Sequence, residues 1–335
     1  MNKFMLGIGG FVLVLLALGF ALPRESRFVI STDIDAADAA VYLQLVDPTR
    51  ARLWLLDIGN DAEYSFAGPD RGIGASMTWN STASGSGTIR VVEASPYSQV
   101  MARMNEGEPG EARLVLTLSK QYAITNLRME FVHDYGLNIV GRYFGLLATG
   151  VLRREYEQSL SRLKDISEGL PVADFGDLEI SDVNVSSVPV AILSVTSSPD
   201  SASVAEMLDD AYFEILKYIE TNALSPAGPP LLIPGDYIGN KRRFDAGIPI
   251  SGGDENIPPD RSRVRITRSY SGPAVLVRHI GPYDRLSATH HKAIAYLAAA
   301  GIERSGASWE SFVSDPARTD ESELVTEIYY PVRAR

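Results

Sequence analysis

The chain has 335 residues, 45 % of them hydrophobic, and a formal net charge of −11. That length suits two domains with separate cores, and both halves are acidic, which argues against a surface built to neutralise nucleic-acid phosphates. There is no cysteine, so disulfides, thiol chemistry and Cys-ligated metal sites are excluded.

The first element is the uncharged, apolar run Phe4–Leu22. As a helix it would extend about 28 Å, close to the hydrocarbon thickness of a bilayer. Residues 1–26 are therefore expected to form a single transmembrane helix that anchors the protein in a membrane. A cleaved signal peptide is the alternative, with small residues at Ala17-Leu18-Gly19 and Gly19-Phe20-Ala21. Lys3 on one side, against Arg24, Glu25 and Arg27 on the other, does not fix which side of the membrane the rest occupies.

Residues 27–168 form the first expected domain. Phe28–Ile34 reads as a strand. Ala36–Leu56 has helical spacing broken at Asp47-Pro48. Strand-like runs follow at Gly72–Asn80, Gly87–Glu93, Ser98–Met104, Ala112–Leu118 and Ala123–Phe131, with turns at Ser84–Gly87 and Gly107–Gly110. The last element, Gly150–Glu168, places Val151, Tyr156, Leu160, Leu163 and Ile166 near helical spacing. The order and the stretches Gly72–Trp79, Gly87-Thr88-Ile89, Arg142–Leu146 and Tyr156–Leu160 resemble the START-like superfamily, also called SRPBCC or polyketide-cyclase-like. That resemblance implies a helix-grip fold, a curved antiparallel sheet around a long C-terminal helix enclosing an apolar cavity. It does not give a function. Trp79, Tyr122 and Tyr143 are candidates to line the cavity or to sit in ordinary core. No acid–base or nucleophile constellation is visible here.

Residues 169–177, with Gly169, Pro171 and Gly176, read as a linker. The domain at 178–335 contains an internal repeat. Val188–Leu193 and Gly272–Val277 each begin a unit of strand, helix and two strands. Setting Pro249 on Pro331 sets Asp245 on Glu327, so a pseudo-twofold axis would bring the two carboxylates to equivalent places in one groove. The helices are expected at Ser201–Asn222, with Ser203 and Glu206 as a capping-box pattern, and within Tyr283–Gly301. Gly247–Arg263, with Gly252-Gly253 and Pro258-Pro259, reads as the loop between repeats.

The strand Glu323–Val332 alternates a core face, Leu324, Ile328 and Tyr330, with a face that holds Glu327 beside Tyr329. Gly281-Pro282-Tyr283, Trp309–Phe312 before Asp315-Pro316, and Thr326–Val332 together resemble the gyrase-inhibitor-like effector-binding domain, found also in AraC-type and MerR-type regulators. The resemblance covers about Leu178 to Val332. It implies binding of a cationic amphipathic molecule with Glu327 as charge partner and Tyr283, Trp309 and Tyr329 as cage walls. Some members without a DNA-binding part are hydrolases, and no helix-turn-helix region is evident here.

The whole is thus read as α+β: a transmembrane anchor, a START-like domain, and a duplicated strand–helix–strand–strand effector-binding domain. The function that follows is a single-pass, membrane-anchored protein that binds a small hydrophobic or cationic ligand, with Glu327, Asp245, Tyr283, Trp309 and Tyr329 as site residues. No catalytic residue, metal, cofactor or nucleic-acid partner is assigned. Two alternatives stay open: a hydrolase using Glu327 as general base, and a scaffold for a protein partner. His290-His291 point about 100° apart on a helix and read as solvated surface rather than a metal face. Arg243, Arg265, Arg268 and Arg278 are candidate ion-pair partners for Asp245 and Glu327. Glu310, on the face opposite Trp309, reads as peripheral.

Overall fold

The computed structural model describes residues 14, 17–56, 58–59, 61–82, 85–105, 111–122, 124–198, 201–252 and 263–334. The chain divides into two compact units, Met1–Gly176 with Ala298–Gly301, and Asp177–Leu297 with Ile302–Arg335. Among the described residues no helix is long and apolar enough to cross a membrane. That finding corrects the expected single-pass anchor and the membrane localisation built on it. Residues 4–13, 15 and 16 of the expected span lie outside the described residues, as do the turn at 107–110 and the prolines at 258–259.

The first unit is one antiparallel sheet and a long helix. Its elements are β1 (Glu25–Ile34), α1 (Asp38–Val46), α2 (Pro48–Ala51), β2 (Glu63–Ala67), β3 (Ser76–Ser81), β4 (Gly85–Ser95), β5 (Gln99–Met104), β6 (Ala112–Gln121), β7 (Ile124–Asp134) and α3 (Ile139–Glu168). The seven strands run in the order β1-β7-β6-β5-β4-β3-β2. Alternation writes the inner face: Leu114, Leu116 and Leu118 on β6 and Leu127, Met129 and Phe131 on β7 are all buried. Tyr156, Leu160 and Leu163 of α3, at helical spacing, are buried as well, and α3 packs against β1.

Helix α3 begins eleven residues before the expected start at Gly150. Asn138 caps it, its side chain accepting from Gly141 N at 2.9 Å. The first turns escape pattern recognition for a physical reason. Gly141 and Gly145 sit against the ring of Tyr135, while Val140, Phe144 and Leu147 are exposed, so the apolar side chains there do not mark a buried stripe.

The described residues between α1, α2 and the sheet leave little room at one place. A cavity lined by Trp54, Leu55, Leu114 and Leu116, among others, measures only about 20 Å³, room for about one water. The aromatics expected to line a cavity do not meet there. Trp79 is buried against Gly87, Tyr122 is fully exposed, and Tyr143 lies on α3 facing Gly19.

The second unit holds β8 (Glu179–Val185), β9 (Pro189–Ser197), α4 (Ser201–Thr221), β10 (Ser225–Pro226), β11 (Leu231–Ile238), β12 (Lys241–Ser251), β13 (Arg265–Arg268), β14 (Gly272–Ile280), α5 (Leu286–Ala299), β15 (Trp309–Phe312) and β16 (Val325–Pro331). The strands form one antiparallel sheet, β13-β9-β12-β11-β15-β16-β14-β8, with β10 paired to β12. The segments β9-α4-β11-β12 and β14-α5-β15-β16 repeat one another, and β11 meets β15 at the centre. Alternate residues Phe244, Ala246, Ile248 and Ile250 of β12 pack with Leu208, Ala211 and Ile215 of α4. In the other repeat, Thr326, Ile328 and Tyr330 of β16 are buried. On that same sheet face His279 of β14 bonds to Thr289 of α5. Both helices therefore lie on one face of the sheet, and the opposite face carries the odd-numbered residues of β12 and β16.

Candidate functional site

The register shows that the two repeat carboxylates are equivalent. Asp245 pairs with Ser194 across β12 and β9, and Glu327 pairs with Arg278 across β16 and β14. Both lie on the face away from the helices, and each is already engaged. Asp245 accepts from the Ser194 hydroxyl and forms an ion pair with Arg265 at 3.4 Å. Arg243, although on the same strand face, is not the residue paired with it. Glu327 accepts the Tyr329 hydroxyl at 2.7 Å and stands 3.7 Å from Arg278. That arginine also reaches Glu179, 3.9 Å away.

The aromatic residues divide between the two faces. Trp309 and Tyr329 stack on each other with centroids 4.8 Å apart and planes at 4°. Tyr270 tilts against Trp309 at 5.7 Å. These rings and Glu327 share one face. Burial, and then the bond to Glu327, push the Tyr329 hydroxyl well above its ordinary range. Tyr283 is elsewhere. It sits in the short turn before α5, edge-on to Phe312 at 5.3 Å, on the helix side. The structure therefore does not bring Tyr283 together with Glu327, Trp309 and Tyr329.

The helix side holds a polar cluster that sequence reasoning passed over. Glu310 is on β15 directly opposite Ile328, so it faces the helices, and it is only 8 % exposed. His290 of α5 meets it with Nε2 2.9 Å from Glu310 Oε1. The other ring nitrogen, Nδ1, is 2.6 Å from the Tyr330 hydroxyl. A carboxylate only accepts, so Nε2 carries the proton and Nδ1 accepts from Tyr330 in the neutral ring. His290 is thus not a solvated surface residue, and Glu310 is not peripheral; His291 beside it is exposed. Tyr212 of α4 completes the cluster, donating to Leu231 O at 2.9 Å. Its hydroxyl is pushed far up by burial and then by the charges of Glu310 and Tyr283. Burial and then Glu310 do the same to Tyr330.

This cluster sits over the central strands between α4 and α5. Leu216, one turn beyond Tyr212, and Ile294, one turn beyond His290, are both exposed on the flanking helices. The arrangement is a nearly dry carboxylate bonded to His290, which in turn meets Tyr330, on the helix-covered face of the sheet. Such a site suits a soft organic cation, since the carboxylate supplies attraction and the rings supply cation–π and apolar contact. A signal was present in the sequence. His290 falls in the stripe Leu286, Ala293 and Leu297, four and three residues from its neighbours, where an apolar residue is expected. No group of three or more His, Asp or Glu among the described residues is placed to hold a metal ion.

Residues 183–333 match the GyrI-like small molecule binding domain and form such a domain. Solved structures similar to this chain include the EcmrR C-terminal domain, with a TM-score of 0.41 and 17 % identity over 48 % of this chain and 99 % of that one. Protein CV1439 from Chromobacterium violaceum gives 0.34 and 17 % over 43 % of this chain and 98 % of that one. A hydrolase from Listeria innocua gives 0.36 and 13 % over 46 % and 92 %. Likenesses at this level carry no conclusion about what this chain does. No curated protein matches the chain.

Proposed function

We propose that the second unit binds a small hydrophobic cation between α4 and α5, with Glu310 as its charge partner and Tyr212 and Tyr283 as its aromatic surroundings. One observation carries this reading: Glu310 is a carboxylate 8 % exposed on the helix-covered face of the sheet, held there by His290 of α5. Burying a carboxylate is costly unless it is paired. Here the partner is a histidine, which meets Glu310 with a single N–H and leaves its second oxygen available.

A second reading places the cation on the opposite sheet face at Glu327. It is supported by the Glu327 side chain, 21 % exposed, beside the stacked Trp309 and Tyr329 rings. The reading is weaker because Tyr329 and Arg278 already engage that carboxylate, and the same engagement disfavours Glu327 as a general base. For the first unit we propose a START-like domain, on the strength of the seven-stranded antiparallel sheet and the long final helix. The domain bounds proposed with this reading are 27–168 and 178–335, with 169–177 as the linker.

The test is thermal stabilisation of the full chain by a panel of hydrophobic cations headed by tetraphenylphosphonium. A ligand at a hundredfold excess over its Kd stabilises by about 2.7 kcal/mol. This stabilisation is expected in the wild type, lost in Glu310→Gln and retained in Glu327→Gln. The reverse pattern favours the second reading, and no stabilisation by any cation refutes both.

A further inference from the structure

Among the described residues nothing covers the outer side of the first turns of α3. Val140, Phe144, Leu147 and Val151 are spaced by four, three and four residues, and each is exposed, from 49 % at Val151 to 78 % at Leu147. Leu137, in the turn before the helix, is exposed as well. Apolar residues at that spacing repeat every 3.5 residues, the period with which one helix packs lengthwise on another. The sheet side of α3 is a separate stripe. There Arg142 and Gly145 are buried, Thr149 bonds to Ser26 of β1 with the hydroxyl oxygens 3.0 Å apart, and Tyr156, Leu160 and Leu163 continue the row into the core. A third stripe, Ile139 and Tyr143, is occupied by Gly19 of the helical stretch before β1.

The seam carries no charge. From Ile139 to Leu152 the charged residue is Arg142 alone, and its guanidinium donates inward to Gly136 O at 2.6 Å and to Phe20 O at 3.1 Å. In paired helices the positions flanking the seam choose the partner through complementary charges. Here those positions are Gly141, Tyr143, Ala148 and Gly150, which select no oppositely charged stranger and do not repel an identical helix. The chain as a whole carries −11, so an uncharged face is where two copies can approach without like-charge repulsion.

We propose that this seam is a homodimer interface, in which α3 packs on α3 of a second copy about a twofold axis. The area is consistent with that occupant. An aliphatic side chain covers about 100 Å² and a phenylalanine about 200 Å². Allowing for their partial exposure, the four seam residues and Leu137 bury about 400–500 Å² per copy. The pair then buries about 800–1,000 Å², at the lower limit for a specific interface, so the dimer is expected to be weak and to dissociate on dilution.

Sedimentation equilibrium of the full chain across a concentration series tests this. The wild type is expected to pass from dimer to monomer on dilution, a readout that needs no variant. Leu147→Glu sets like charges against each other in the seam and is expected to raise the dissociation constant at least about tenfold. Leu147 is exposed, so the variant should fold, and an unchanged far-ultraviolet circular dichroism spectrum checks that it does. Leu146→Glu is the control: Leu146 is also exposed but lies about 100° round the helix from Leu147, and its variant is expected to dimerise as wild type. A wild type that is monomeric throughout, a dimer that Leu147→Glu leaves intact, or a dimer that Leu146→Glu breaks as readily would overturn the proposal. A monomeric wild type that floats with phosphatidylcholine vesicles, and no longer does so as Leu147→Glu, would overturn it in favour of a lipid surface.

Discussion

Replacing Tyr330 with phenylalanine removes one hydroxyl and no carbon. Tyr330 is 1 % exposed, so the ring keeps its packing and no cavity term arises. What disappears is the 2.6 Å bond to His290 Nδ1. A net hydrogen bond contributes about 0.5–1.5 kcal/mol, and a buried acceptor left alone costs about 1–3 kcal/mol. The His290 side chain is 23 % exposed, so water recovers part of that second cost, and about 1–2 kcal/mol is expected in total. For a unit of this size that corresponds to a fall of about 2–8 °C in Tm. Calorimetry of Tyr330→Phe, His290→Leu and the double variant separates the contributions. With His290 replaced, Tyr330→Phe should cost almost nothing, giving a coupling of about 1 kcal/mol. An equal cost in both backgrounds would refute the Tyr330–His290–Glu310 chain.

Other expectations concern the first unit. Leu163 on α3 is fully buried, and Leu163→Ala should destabilise by about 2–5 kcal/mol in urea titration. Gly87 lies against the Trp79 ring, where an added Cβ would overlap it; Gly87→Ala should cost about 1–3 kcal/mol by overpacking and alter the Trp79 fluorescence. Asp61 accepts from Ser81 Oγ and from the Thr82 hydroxyl and N–H. Those bonds, the Thr82 hydroxyl first, hold its carboxyl down from 3.8 to about 2. A depressed folded pKa gives stability that is complete above the unfolded value and lost as pH falls. Tm measured against pH should therefore drop between about 4 and 2, and Asp61→Asn should flatten that part of the curve.

Much of this architecture is legible in the residues, for reasons that differ by element. The sheets announce themselves through alternation, as in Ala112–Leu118, where every second residue is buried. Helix α4 is legible because Leu208, Ala211, Tyr212, Ile215 and Ile219 keep a 3.6-residue period. The first turns of α3 are not, since glycines and exposed apolar residues erase the period. For Phe4–Leu22 the sequence offers hydropathy alone, which cannot tell an apolar run from a membrane span. The short β2 at Glu63–Ala67 is almost wholly exposed and leaves no core signal.

The site was harder, because alternation shows which residues share a face but not what covers it. Alternation puts Glu327 and Tyr329 side by side, yet their face is the one without helices. Alternation also puts Glu310 on the face opposite Trp309, and that face is the one beneath α5. Its partner lies on another element, at a spacing no sequence pattern specifies. Two oddities together point to it: a carboxylate at a core-facing strand position and a histidine in an apolar helix stripe.

The most direct measurement is the dissociation constant of tetraphenylphosphonium, by titration calorimetry, for wild type, Glu310→Gln and Glu327→Gln at one ionic strength. The account predicts at least a roughly tenfold weaker constant for Glu310→Gln, equivalent to about 1.4 kcal/mol, with Glu327→Gln close to wild type. Equal affinity in wild type and Glu310→Gln, with both variants folded, would contradict it.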